Sequence, residues 1–353
     1  MPPSPNKRPS TPDLHSLLRR QTPLLDVRAP AEFAHGNLPQ SVNLPILNDH
    51  ERAQIGTMYK KEGPAAATNL GHQLVSGDIK AARVSQWQAF IADNPQAQLM
   101  CWRGGQRSQI AQTWLAEQDC QVQRVPGGYK ALRKACLEIL SSAPQQNKPW
   151  WVVAGRTGVQ KTVLIEQLAN SIDLERLANH RGSAFGARAT PQPTPACFEN
   201  RLACAYLRHD FPALVLEDES RTIGRLGLPG GWHQRMQTAP LVLIEASLAS
   251  RVEHIVTEYV TQPVSEGADA IALGDHYQQA LTRVKRRLGG VLHQHIDKLR
   301  KDAFQNKRPH QDWVHALMTD YYDPMYDYQL TNKEPRIVFR GTLSQVRDYL
   351  GNL

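Results

Sequence analysis

A cysteine followed within six residues by two arginines and two glycines is a device for holding an anion against a sulfur. The chain carries one as Cys101-Trp102-Arg103-Gly104-Gly105-Gln106-Arg107-Ser108. Residues 98–100 precede it as a short strand, and residues 108–117 follow as a helix. A loop curling into a helix N-terminus points several backbone N–H groups at one spot. Gly104 and Gly105 give the backbone access to positive φ, and Arg103 and Arg107 bring full charge. All three effects favour a thiolate at Cys101. The C-x5-R spacing also suits cysteine phosphatases, so this loop alone leaves two enzyme classes open. Cys120, Cys136, Cys197 and Cys204 read as buried structural residues.

A second loop has a different chemistry. Gly155-Arg156-Thr157-Gly158-Val159-Gln160-Lys161-Thr162 follows an apolar run and opens a helical pattern, the setting of a phosphate loop. Gly155, Thr157 and Gly158 supply the cradle, Lys161 a point charge, and Thr162 a hydroxyl within reach of Mg²⁺. The usual second glycine is Gln160, whose side chain is expected to crowd a phosphate or strain the backbone. Glu217, Asp218 and Glu219 end another apolar run and are candidates for a Mg²⁺ ligand or a general base. Arg181 and Ser183 lie in a glycine-interrupted basic stretch, 180–186, that suits a phosphate or an RNA backbone.

These loops need a scaffold, and the hydropathy pattern supplies one. Residues 23–27 and 98–100 read as buried strands, and 84–91 and 108–117 as helices. Such alternation implies an α/β domain with a largely parallel sheet. Residues 141–149, SSAPQQNKP, are polar with two prolines and read as a linker. The alternation then restarts. Strands are expected at 150–154, 213–216, 241–244 and 337–339, with a helix at 161–170 and a long helical region at 277–304. The expected organisation is a disordered leader over 1–12, one α/β domain over 13–140, the linker, and a phosphate-loop α/β domain over 150–353.

Composition sets the outer bounds. The 353 residues, 41% hydrophobic and 21% charged, exclude a mostly disordered chain. No apolar stretch approaches the roughly 20 residues that span a bilayer. Five cysteines without a C-x-x-C pair argue against a disulfide framework or a structural zinc site, and fit a reduced cytoplasm. The net charge of +8 favours an anionic partner. Much of it is concentrated in the helical basic segment 277–308. Between Arg283 and Arg308, nine Lys/Arg oppose only Asp297 and Asp302. Arg283, Lys285, Arg286, Arg287, Lys298, Arg300 and Lys301 form a stripe suited to nucleic-acid phosphates. Trp102, beside Cys101, is the aromatic best placed to stack on an unpaired base.

Asp26-Val27-Arg28, Glu32-Phe33, Gly36, Leu38-Pro39 and Val42-Asn43-Leu44-Pro45 resemble the opening of a rhodanese (sulfurtransferase) domain, whose cysteine loop carries a persulfide. With the phosphate loop, Gly127-Gly128-Tyr129-Lys130 and the stretches 51–63, 70–77, 180–186 and 217–224, the chain from about Pro23 onward resembles the tRNA 2-selenouridine synthase family. That family's phosphate loop has Gly where Gln160 stands. The resemblance implies an N-terminal rhodanese-like parallel-sheet domain, then a phosphate-loop domain with a basic helical C-terminal region. It implies conversion of wobble 2-thiouridine in tRNA to 2-selenouridine through an S-geranyl intermediate. Geranyl diphosphate and selenophosphate are then co-substrates, with selenium carried at Cys101 and no tightly bound cofactor. A C-x5-R phosphatase or sulfurtransferase, and a non-catalytic tRNA-binding protein with a decayed phosphate loop, are the competing readings. Oligomeric state is left open.

Overall fold

A computed structural model describes residues 11–188 and 190–353. Residues 1–10 of the expected leader lie outside the described residues, and a helix, Thr11–Arg19, already occupies its last two positions. The chain forms two compact units.

The first unit is built on a parallel sheet of β1 (Leu24–Asp26), β2 (Ser41–Asn43), β3 (Gln98–Met100) and β4 (Gln123–Arg124), in the order β2-β1-β3-β4. β1 is buried throughout because helices cover both faces of such a sheet, and apolar runs with no alternation are what that position requires. Leu25, Val27, Trp87, Leu99, Trp114 and Leu115 form its core. The register sets Asp26 beside Met100, so the Asp-Val-Arg segment and the cysteine loop leave neighbouring strands at the same end. The helix Asp49–Leu74 opens with a capping box in which Asn48 and Glu51 exchange hydrogen bonds of 2.8 Å. It kinks where non-helical Gly63 precedes Pro64.

Two boundaries differ from the sequence reading. The linker expected at 141–149 is partly helical. The helix Gly128–Ser142 runs into it and the turn Ala143–Gln145 follows, because the helix's buried stripe of Leu132, Cys136, Ile139 and Leu140 continues into fully buried Ala143. Residues Pro193–Arg208, read as part of the second domain, belong to the first unit. Their helix, Pro195–Leu207, buries Cys197, Phe198, Leu202 and Cys204. It is stitched to the first unit by Arg133 with Glu199, and by Asn200 donating to the Asn37 carbonyl at 2.8 Å.

The second unit holds β5 (Trp150–Ala154), β6 (Leu214–Glu217), the hairpin β7 (Thr222–Ile223) and β8 (Leu226–Gly227), β9 (Leu241–Ile244) and β10 (Ile337–Gly341). Its main sheet is parallel in the order β10-β9-β5-β6, with β5 in the interior. The helical region expected over 277–304 consists of two helices. Ala270–Leu288 and Gly290–Phe304 are broken at Gly289, and they bury Tyr277, Leu281, Val284 and Ile296 with Trp313 and Leu317. No helix among the described residues is long and apolar enough to cross a membrane.

Candidate functional site

Each unit carries one of the two loops. In the first, Cys101 directly follows β3 and is 3% exposed. Its Sγ lies 3.3 Å from Ser108 Oγ and 3.9 Å from the Gly105 carbonyl oxygen, at the opening of the helix Gln106–Ala116. The loop is held from below by a second turn. Tyr129 N donates to the Cys101 carbonyl and Lys130 N to that of Trp102, both at 2.9 Å. Gly128, at φ +58°, must be glycine, because a Cβ there would lie 2.2 Å from the Cys101 carbonyl oxygen. Arg124, a residue the sequence reading did not single out, donates to the Gly104 carbonyl at 3.1 Å.

Asp26 and Arg28 form the frame around this loop. Both are fully buried. Arg28 donates through Nε and Nη2 to Asp26, and again to the Gly36 carbonyl at 2.8 Å. Its guanidinium lies 3.8 Å from the Tyr129 ring centroid and 5.6 Å from that of Trp102. Burial pushes the Asp26 carboxyl up in spite of the arginine. One pair thus fixes both aromatic neighbours of the cysteine.

The two arginines expected to serve an anion differ. Arg103 is exposed. Arg107 donates to both oxygens of Glu32, which Arg52 also meets at 3.3 Å. Burial opposes the Arg107 charge, but Glu32 outweighs it and raises its pKa; the same contact holds Glu32 low against its own burial. Arg107 therefore fastens the helix Gln106–Ala116 to the segment holding Glu32. An anion at Cys101 would share it with that carboxylate.

In the second unit the loop from Gly155 to Thr162 joins β5 to the helix Lys161–Gln167. Lys161 Nζ reaches back to the Gly155 carbonyl at 2.9 Å, so the loop closes on itself. Gln160 sits at φ +67°, ψ +36°, in the left-handed region. The expected backbone strain is present, yet the loop keeps its shape. Arg251, 2% exposed, donates to the Thr157 carbonyl at 3.2 Å and pairs through both Nη atoms with Asp323.

The loop faces a cavity of about 740 Å³. Thr157, Gly158, Lys161 and Thr162 line it, and so do Arg181, Ser183, Asp218 and Glu219. Arg181 is held 2.8 Å from Glu258 and 4.7 Å from the Tyr259 centroid. Burial works against the Glu258 charge, but His254 and Arg181 hold its pKa low.

The three acids at the end of β6 have separate fates. Glu217 is fully buried, accepts from Leu174 N at 3.1 Å and does not line the cavity. Asp218 pairs with Lys333 at 2.5 Å. Glu219 lines the cavity beside Glu175, a residue that sequence reasoning missed and whose carboxylate accepts from the Thr162 hydroxyl at 3.1 Å. Burial, reinforced by neighbouring carboxylates, pushes Glu217 and Glu219 well above the usual range, and burial raises Glu175. Gly182 approaches this pair so closely that a Cβ would lie 2.6 Å from Glu175 Oε1 and 2.7 Å from Glu219 Oε1. Among the described residues no group of three or more His, Cys, Asp or Glu is arranged to hold a metal ion.

The basic residues of the expected stripe differ in exposure. Lys285, Arg286, Arg287 and Lys298 are exposed. Arg283 donates to the Ala184 carbonyl, and Lys301 pairs with Asp297. Arg300 leaves the stripe. It is 3% exposed and spends its donors on Asp297 and the Gly274 carbonyl, pinning the two helices together.

Comparison with known proteins agrees with this architecture. Residues 10–135 match the model of the rhodanese-like domain, and residues 148–353 that of the tRNA 2-selenouridine synthase AAA domain. A tRNA 2-selenouridine synthase of Sulfurovum sp. (strain NBC37-1) is 43% identical, over 97% of this chain and 98% of its own length. Those of Hahella chejuensis and Pseudomonas putida (strain KT2440) are 44% and 43% identical over 97% of this chain, covering 94% and 97% of their own lengths. A chain with a buried cysteine loop on one parallel sheet, a phosphate loop on a second, and this similarity along nearly its whole length belongs to the tRNA 2-selenouridine synthase family.

Proposed function

We propose that this chain converts wobble 2-thiouridine in tRNA to 2-selenouridine by alkylating the sulfur and then exchanging it for selenium. The observation that carries the reading is the presence in one chain of two unlike anion loops: a phosphate loop opening into a cavity of about 740 Å³, and a buried cysteine in a glycine-rich loop. In the first step the loop around Lys161 and Thr162 holds geranyl diphosphate. The thiouridine sulfur forms a bond to the geranyl carbon, the carbon–oxygen bond to diphosphate breaks, and diphosphate leaves. The uridine N3 proton passes to a base, for which Glu219 is the candidate lining the cavity. S-alkylation supports the second step because an alkylthio group leaves more readily than a thiocarbonyl sulfur. There the selenium of selenophosphate bonds to C2 of the base, the C2–sulfur bond breaks and geranylthiol leaves with a proton. Water then cleaves the selenium–phosphorus bond, phosphate leaves and N3 is reprotonated, with the Cys101 loop, Trp102, Arg103 and the glycines holding the selenium donor. Exposed Lys285, Arg286, Arg287 and Lys298 suit the tRNA backbone. A tRNA substrate and a selenophosphate supply both fit a cytoplasmic enzyme.

Mass spectrometry of nucleosides from thiolated tRNA, with each donor omitted in turn, tests the scheme. Enzyme with geranyl diphosphate alone is expected to yield S-geranyl-2-thiouridine, and both donors together 2-selenouridine. Cys101→Ser is expected to abolish selenation and spare geranylation. Equal loss of both would refute separate sites, and absence of either product from the wild type would refute the function.

A further inference from the structure

The phosphate-loop cavity is larger than a diphosphate needs, and part of its lining is aromatic. Its lining includes Ile255, Tyr259, Tyr321, Tyr322, Met325 and Tyr326. Two π-helical segments deliver most of these rings. Thr257–Thr261 carries Tyr259, and Met318–Tyr322 carries Tyr321 and Tyr322. π-Turns are rare, and they cluster where a helix must present side chains to a site. Both in this unit turn toward the same cavity.

This aromatic wall is tied to the phosphate loop. Asp323 follows the second π-segment directly, and Arg251 joins it to the Thr157 carbonyl. The Tyr326 ring centroid lies 5.8 Å from Lys161 Nζ. Tyr326 therefore lies next to any phosphate held by Lys161. We propose that this wall, centred on Tyr326 and Met325, seats the flexible apolar tail of a diphosphate ester. The proposal rests on the reading that the loop holds a diphosphate, and it deepens that reading by assigning the tail's place.

Ring geometry favours a chain over a flat base. Tyr321 and Tyr322 meet edge to face at 72°, and the Tyr259 face is taken by the Arg181 guanidinium. That leaves tilted ring edges, which a flexible hydrocarbon follows more closely than a rigid flat base does.

Isothermal titration of the full chain with pyrophosphate, geranyl diphosphate and ADP tests this. Burial of only two methylenes is worth about tenfold in affinity, so geranyl diphosphate is expected to bind at least that much tighter than pyrophosphate. Met325→Ala is expected to cut that advantage about threefold or more while leaving pyrophosphate affinity unchanged, which also shows that the variant folds. Tyr326→Ala, whose ring also faces Lys161, is expected to cut the ratio of the two affinities by at least as much. Equal binding of the two diphosphates by the wild type overturns the proposal. A tail advantage that survives both substitutions does so too, as does an ADP advantage equal to that of geranyl diphosphate and lost in the same variants. If no ligand binds any form, the diphosphate reading fails and the tail site with it.

Discussion

Replacing Gln160 by glycine is expected to stabilise the second unit without reshaping its phosphate loop. Gln160 holds φ +67°, ψ +36°, and its side chain makes no capping hydrogen bond to the helix that follows. An L-residue in that conformation carries a cost of roughly 1–2 kcal/mol. Glycine removes it but enlarges the unfolded ensemble, which returns about 0.4–1 kcal/mol. The net gain is about 1 kcal/mol, which for a unit of this size raises Tm by roughly 2–4 °C. Thermal and urea unfolding of the Gln160→Gly variant measure it, and an unchanged urea slope would show that the native fold is intact. The Lys161–Gly155 bond does not involve the Gln160 side chain, so pyrophosphate affinity is expected to hold or rise. A variant less stable than the wild type would refute the reasoning. A fall of pyrophosphate affinity beyond about tenfold, some 1.4 kcal/mol, would show that the glutamine side chain itself contacts the ligand.

Two further outcomes follow from burial. Glu217 has a folded-state pKa raised by burial and by Asp173, Glu175 and Glu219. Its contribution to stability is therefore present below the unfolded pKa and lost as pH rises through the folded one. Glu217→Gln is expected to gain Tm over the wild type progressively as pH rises above the ordinary carboxylate range, and a difference that stays constant or shrinks would contradict it. On the basic stripe, Arg286→Ala is expected to weaken tRNA binding and lower the salt slope by about one, with stability within about 0.5 kcal/mol. Arg300→Ala is expected to do the reverse. It should cost about 1–3 kcal/mol of stability by removing the buried bonds to Asp297 and the Gly274 carbonyl that pin the two helices, with little change in salt slope. Filter binding across a salt series with parallel thermal melts separates them, and equal effects on the slope would refute the division.

The two loops were legible because each is a local device. Residues within eight positions, in the order strand, glycine-rich turn, helix, carry most of the Cys101 and Lys161 geometry. The strands at 98–100, 150–154 and 241–244 were legible for a related reason, since an interior parallel strand is an uninterrupted apolar run. Charge was less reliable. Arg283 to Lys301 read as one exposed stripe, yet the break at Gly289 folds two helices together and turns Arg300 inward. Residues 193–208 were misplaced because an amphipathic helix reads the same whichever unit covers its apolar face.

By itself the sequence determined the family, the two α/β units and the position of the cysteine loop and the phosphate loop, because motif spacing and hydropathy are properties of neighbouring residues. The tertiary structure decided which charges remain available. It set Glu32 against Arg107, Glu175 against Thr162 and Lys333 against Asp218. It also gathered Tyr259, Tyr321, Tyr322 and Tyr326 from segments far apart in the chain around one cavity. Those partners are separated by 13 to 115 positions, and no local pattern encodes which distant side chain will neutralise a charge or complete a wall.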